Sequence, residues 1–230
     1  MKNKILAVLL MGISTTQMEA QELKTTFSSN PFFNSYNTPF QVPPFHLIKN
    51  EHFKPAFKEG IKKQDAEIKA IVNNKSVPTF ENTILALENS GELLSNVSTV
   101  FYNLNSANTN DEIQKIATEI APSISAHRDN INLNDKLFTR VKTVWEQKDK
   151  LKLNPEQHKL LEKTYKGFVR SGANLNEKDK QRLRELNSEM AVLTLKFGQN
   201  ILAETNNYEL VINDKEDLVG LPDDLIANGR

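Results

Sequence analysis

The sequence predicts an all-α fold, an antiparallel helical bundle over residues 51–205. Three observations predict it. Only 8 of 230 residues are Gly, half the usual ~7%, and Gly is what tight hairpins need and helix interiors tolerate badly. Apolar residues recur every three to four positions from residue 51 onward, the period of a helix with one buried face. Asn, Thr and Pro stand at the starts of these stretches, where side-chain oxygens cap free backbone N–H groups.

Each element follows from its residues. Lys2 and Lys4, the apolar run Ile5–Ile13 and the small Ala20 read as a secretory signal peptide over residues 1–20, because the run is too short to span a bilayer; a buried N-terminal helix is the alternative. The expected destination is the periplasm or cell envelope, and a Cys-free chain suits an oxidising compartment. Residues 21–50 carry Pro31, Pro39, Pro43 and Pro44 among Phe32, Phe33, Phe40 and Phe45. The prolines exclude regular helix and the phenylalanines argue for an extended arm across the body, against a disordered leader.

Phe53, Phe57, Ile61, Ile68 and Ile71 mark the first helix, with Pro55 near its start. A second opens at Thr79 and carries Phe80, Ile84, Leu87, Leu94, Val97, Phe101 and Leu104, interrupted only by Gly91. Thr109 and Glu112 have capping-box spacing for a third helix through Ile113, Ile116, Ile120 and Ile124, with a kink expected at Pro122. Asn134 begins a fourth with Leu137, Phe138, Val141, Val144 and Trp145; Asn154–Pro155–Glu156–Gln157 begins a fifth that ends at Gly172. Leu183, Leu186, Met190, Leu193 and Phe197 form a sixth with the regular seam of a packed, coiled-coil-like pair rather than a cofactor box. Short loops make sequential helices antiparallel neighbours. Tyr208, Leu210 and Ile212 then alternate as a strand near residues 208–213 would, and a helix start follows at Pro222. A lone strand and a helix cut short by Arg230 lead to the expectation that residues 206–230 begin a further region, incomplete here.

Chemical signals are few. Equal numbers of basic and acidic residues, 29 each, give zero formal charge, which argues against nucleic acid as a partner and against an anionic membrane surface after signal cleavage. With no Cys there is no thiolate site or Cys nucleophile. His46, His52, His127 and His158 are all separated by more than the four residues that a helical paired-His zinc site needs. His127 has Asp129 close by, but an i+2 neighbour on a helix points elsewhere. No catalytic, cofactor-binding or metal-binding residue is assigned within these 230 residues.

Several stretches resemble a known family. PTFENTILALENSGELLSNVSTVFYNLNSANTNDE from Pro78 to Glu112 is similar to the thimet-oligopeptidase family of zinc metallopeptidases, especially its peptidyl-dipeptidase branch. So, in the same order, are PPFHLIKNEHFKPAFKEGI from Pro43, EIAPSISAHRD from Glu119, NPEQHKLLEKTYKGFVRSGANL from Asn154, FGQNILAETNNYELVIND from Phe197 and DLVGLP from Asp217. The resemblance covers nearly all of residues 40–227. It implies the N-terminal part of a larger helical, channel-containing enzyme, whose His-Glu-x-x-His motif binds zinc and activates water for peptide hydrolysis. Short unfolded peptides would be the substrates, with release of C-terminal dipeptides. The present residues would wall the channel, with the C-terminal half as intramolecular partner and zinc bound only there. An exported helical binding module without catalysis is the alternative.

Overall fold

The computed structural model describes residues 30–228; the expected signal peptide lies outside them. The chain divides into two units, Met1–Leu193 and Thr194–Arg230. Among the described residues no helix is long and apolar enough to cross a membrane.

In the first unit the chain enters along its Pro/Phe-rich stretch. Asn30 is fully buried. Its Nδ2 donates to the His52 carbonyl at 2.8 Å while its Oδ1 accepts from Phe32 N, capping the single turn Pro31–Phe33. Phe32 is buried against Phe53, ring centroids 5.5 Å apart. A second turn, Pro39–Gln41, stands out into solvent.

Helix α1, Asn50–Asn73, buries Phe53, Ala56, Phe57, Gly60, Ile68 and Ile71. Pro55 sits inside it rather than in its opening turn. Thr79 caps the next segment as predicted: its hydroxyl accepts from Asn82 N, and the Asn82 side chain accepts from Thr79 N. That segment is a π-helical turn, Phe80–Leu85, running into the short α2, Ala86–Glu88, and it is separate from α3, Glu92–Ala107. The single long helix expected from Thr79 to Leu104 is therefore corrected to three pieces. The break is at Gly91, whose φ of +79° is left-handed and whose N–H donates to Glu67 on α1 at 2.7 Å.

Helix α4, Asp111–Asn132, is capped by Asn110, whose Oδ1 accepts from Ile113 N at 2.9 Å. The Thr109 box is not used; Thr109 Oγ1 instead bonds Asn105. Pro122 lies within α4, which continues past it. Asn134 caps α5, Asp135–Glu146, and Asn154 forms both bonds of a capping box with Gln157 at the start of α6, Pro155–Arg170. Helix α6 ends as its Gly172 requires. The residue has φ +94°, Gly172 N donates to Val169 O, and Ala173 N donates to Phe168 O, the paired bonds of a left-handed helix terminus.

Two apolar regions hold these helices. Phe101 of α3 meets Phe53 and Phe57 of α1 edge-on at 4.9 and 5.4 Å. The partners run in opposite order, Phe53 to Phe101 and Gln64 to Ser90, so α1 and α3 are antiparallel. They approach closely because position 60 is Gly: a Cβ there would lie 2.9 Å from Leu94 Cα. Helices α1 and α4 run parallel, since Asn50 bonds Glu112, Lys54 bonds Glu119 and Gln64 bonds His127. A second region gathers Ile68, Ile71, Phe80, Ile84, Leu137, Val141 and Leu161. Trp145 and Tyr165 stack over it at 4.7 Å, 4° from parallel. Each fully buried side chain of this size contributes about 1.5–3 kcal/mol.

Helix α7, Glu177–Asn207, starts in the first unit and continues into the second. Lys180 is buried and pairs with Asp135, and Asn187 donates to the buried Asp129 at 2.7 Å. The second unit contains the end of α7, a turn at Lys215–Leu218 and α8, Asp223–Asn228. The strand expected near residues 208–213 is absent among the described residues: this stretch belongs to no helix or strand. Alternating apolar residues become a strand only when a second strand accepts their backbone bonds.

Candidate functional site

The histidines do not converge. His46 lies in the loop before α1; His52 accepts from Lys49 N at 3.0 Å and helps start that helix; His158 is exposed on α6. His127 is buried at the α1–α4 seam, Nε2 2.7 Å from Gln64 Oε1 and Nδ1 3.0 Å from Asp65 Oδ1. Its sequence neighbour Asp129 is turned to Asn187 instead. Among the described residues no three His, Asp or Glu side chains gather as metal ligands, so these residues do not fit a zinc centre, which needs three protein ligands around one ion.

Shifted carboxylates are surface ion pairs. Lys159 and Lys166 donate to Glu162 and lower its pKa from 4.5 to about 2. Lys54, 2.5 Å away, lowers that of Glu119. Burial raises the Tyr102 hydroxyl, partly offset by Arg128.

A groove of about 880 Å³ in the first unit runs between α1 and α4 over Pro55, Ile61, Ile120 and Ile124. Lys54, Lys58 and Lys62 on its rim are matched by Glu59, Asp65 and Glu119, leaving no net field for a charged ligand.

The most unusual surface is apolar. In the first unit, Leu186, Met190 and Leu193 of α7 are 40%, 58% and 51% exposed; in the second, Phe197, Tyr208, Leu210 and Val211 are exposed by two thirds or more. The packed seam expected on this helix is corrected accordingly. Its period forms the helix, but no described element covers it beyond Leu183, which approaches Gly172. Spacing specifies an apolar face and says nothing of what covers it. Clustered exposed apolar side chains are the kind of surface that other protein covers.

No family model matches the chain. It is 42% identical over 198 residues to the dipeptidyl carboxypeptidase of Escherichia coli, a match covering 86% of this chain and 29% of that protein. The chain resembles the oligopeptidase family of peptidases. It is also 24% identical to oligopeptidase A of Salmonella typhimurium over 197 residues, and 23% identical to a thimet-like oligopeptidase of Dictyostelium discoideum over 182 residues. These matches cover 86% and 77% of this chain, and 29% and 27% of those relatives. The chain thus spans under a third of the length of the dipeptidyl carboxypeptidases and oligopeptidases it matches.

Proposed function

We propose that this chain is the N-terminal helical region of an exported zinc peptidase that hydrolyses short peptides and releases C-terminal dipeptides. The carrying observation is the 42% identity to a dipeptidyl carboxypeptidase over 86% of the chain. In this reading the helices wall a substrate channel and act by steric selection, admitting short unfolded peptides. Metal-assisted chemistry belongs to residues outside the 230. The bare apolar faces of α7 support the reading, since a region of a larger enzyme carries faces that the remainder covers. Export rests on Lys2, Lys4, Ile5–Ile13 and Ala20.

Sequencing the coding DNA beyond the codon for Arg230 tests the proposal. An open frame reaching a His-Glu-x-x-His motif supports it; an immediate stop favours an exported helical binding module without catalysis. Intact-mass analysis of exported protein should find a new N-terminus near Gln21, and full-length chain retained in the cytoplasm contradicts export.

A further inference from the structure

Phe40 is the most exposed large apolar side chain described, at 98%. It is held outward. Phe40 and Gln41 have φ of +57° and +55°, a left-handed conformation that bulky residues seldom adopt and that persists only where surrounding structure fixes it. Three hydrogen bonds fix it here: Gln41 N to Thr38 O at 3.0 Å, Val42 N to Pro39 O at 3.3 Å, and Thr38 Oγ1 to Val42 O at 2.5 Å. Val42, Phe45 and Leu47 beside it are each about half exposed, and residues 30–48 contain no Asp, Glu, Lys or Arg. An aromatic side chain held outward by its turn, in a segment with other half-exposed apolar residues and no Asp, Glu, Lys or Arg of its own, has the character of an interface anchor, buried in a pocket of its partner. The missing charge argues against an anionic lipid surface, which is recognised through clustered Lys and Arg.

We infer that the Thr38–Leu47 loop is a latch whose Phe40 ring enters an apolar pocket of the polypeptide that follows residue 230 in the complete enzyme. This rests on the proposed function above: the dipeptidyl carboxypeptidase relative is more than three times the length of the matched region, so ample chain is available to supply the pocket. The latch would tie the start of the helical wall to the catalytic part and fix the width of the channel between them.

The test compares Phe40→Asn and Phe40→Leu in two polypeptides, this 230-residue chain and the product of the full reading frame. Asn tolerates left-handed backbone, so the first variant removes the ring and keeps the turn; Leu restores apolar volume. Hydroxyl-radical labelling should modify Phe40 readily in the 230-residue chain and spare it in the full product. Phe40→Asn should leave the melting temperature of the short chain within about 1 °C and lower that of the full product by several degrees, with Phe40→Leu recovering part of the loss. Equal labelling in both polypeptides, or an unmoved full product, overturns the latch while leaving the peptidase reading intact. So does Phe40-dependent dimerisation or vesicle binding by the short chain. A stop codon directly after Arg230 removes both.

Discussion

Gly91 shows how one residue divides what periodicity would join. Its left-handed φ ends α2, turns the chain and presents the N–H that Glu67 accepts. A Cβ at this position would lie 2.3 Å from Gln64 Nε2, and Gln64 also holds His127. Gly91→Ala should therefore cost about 1–3 kcal/mol through backbone strain and a displaced Gln64, read as a fall in chemical-denaturation midpoint. Gly167→Ala, within α6 and with nothing inside 4 Å of the new methyl, should be neutral or stabilising by up to about 1 kcal/mol. Equal effects from the two would contradict this account of the break. The sequence alone marks Gly91 as an interruption without revealing a turn, because the residue that decides it, Glu67, is supplied by another helix. The exposed carboxylates make a pH prediction. Lys54 holds the Glu119 carboxyl below the ordinary carboxylate value, and Lys159 and Lys166 lower that of Glu162 from 4.5 to about 2, so the stabilising effect of Glu162 is complete above about pH 4.5 and is lost as pH falls toward 2, and that of Glu119 is likewise lost in acid as pH falls through its lowered pKa. A Glu119→Gln, Glu162→Gln variant should lose less stability than wild type across that acid range in thermal melts, and the effect should shrink with added salt.

Among the elements, helix starts are the part most legible in sequence where a polar cap precedes an apolar run. Thr79, Asn134 and Asn154 all cap as their positions predict. At Thr109 the rule selects the wrong neighbour, since Asn110 offers the same oxygen one residue later. Asn134→Ala and Asn110→Ala should each cost about 1 kcal/mol, whereas Thr109→Ala should cost clearly less; denaturant titration of the three separates the assignments. Tertiary order is less legible than helix starts. Periodicity predicts that Phe53 and Phe101 are inside, yet it takes their edge-on contact and Gly60 against Leu94 to show that α1 and α3 are antiparallel partners, and Lys54 against Glu119 with Gln64 against His127 to show that α1 and α4 run parallel. Leu137 and Leu161, both fully buried, should cost about 2–5 kcal/mol when cut to Ala. The strand near 208–213 fails for the opposite reason: its pattern needs a partner that no described residue supplies.

At the scale of the whole molecule, the described residues bring no three His, Asp or Glu side chains together as metal ligands. The uncovered residues of α7 and the projecting Phe40 are both apolar, consistent with a region shaped to fit against more protein. Spacing places the apolar residues on one face of α7, whereas what covers that face is a property of chain elsewhere. The most direct measurement is dipeptide release from a short test peptide, with and without chelator, by the 230-residue chain and by the product of the full reading frame. The account predicts no release and no stoichiometric zinc for the 230-residue chain, with chelator-sensitive release and bound zinc for the full product. Chelator-sensitive release by the 230-residue chain itself, purified free of other peptidases, would contradict the claim that the chemistry lies beyond Arg230.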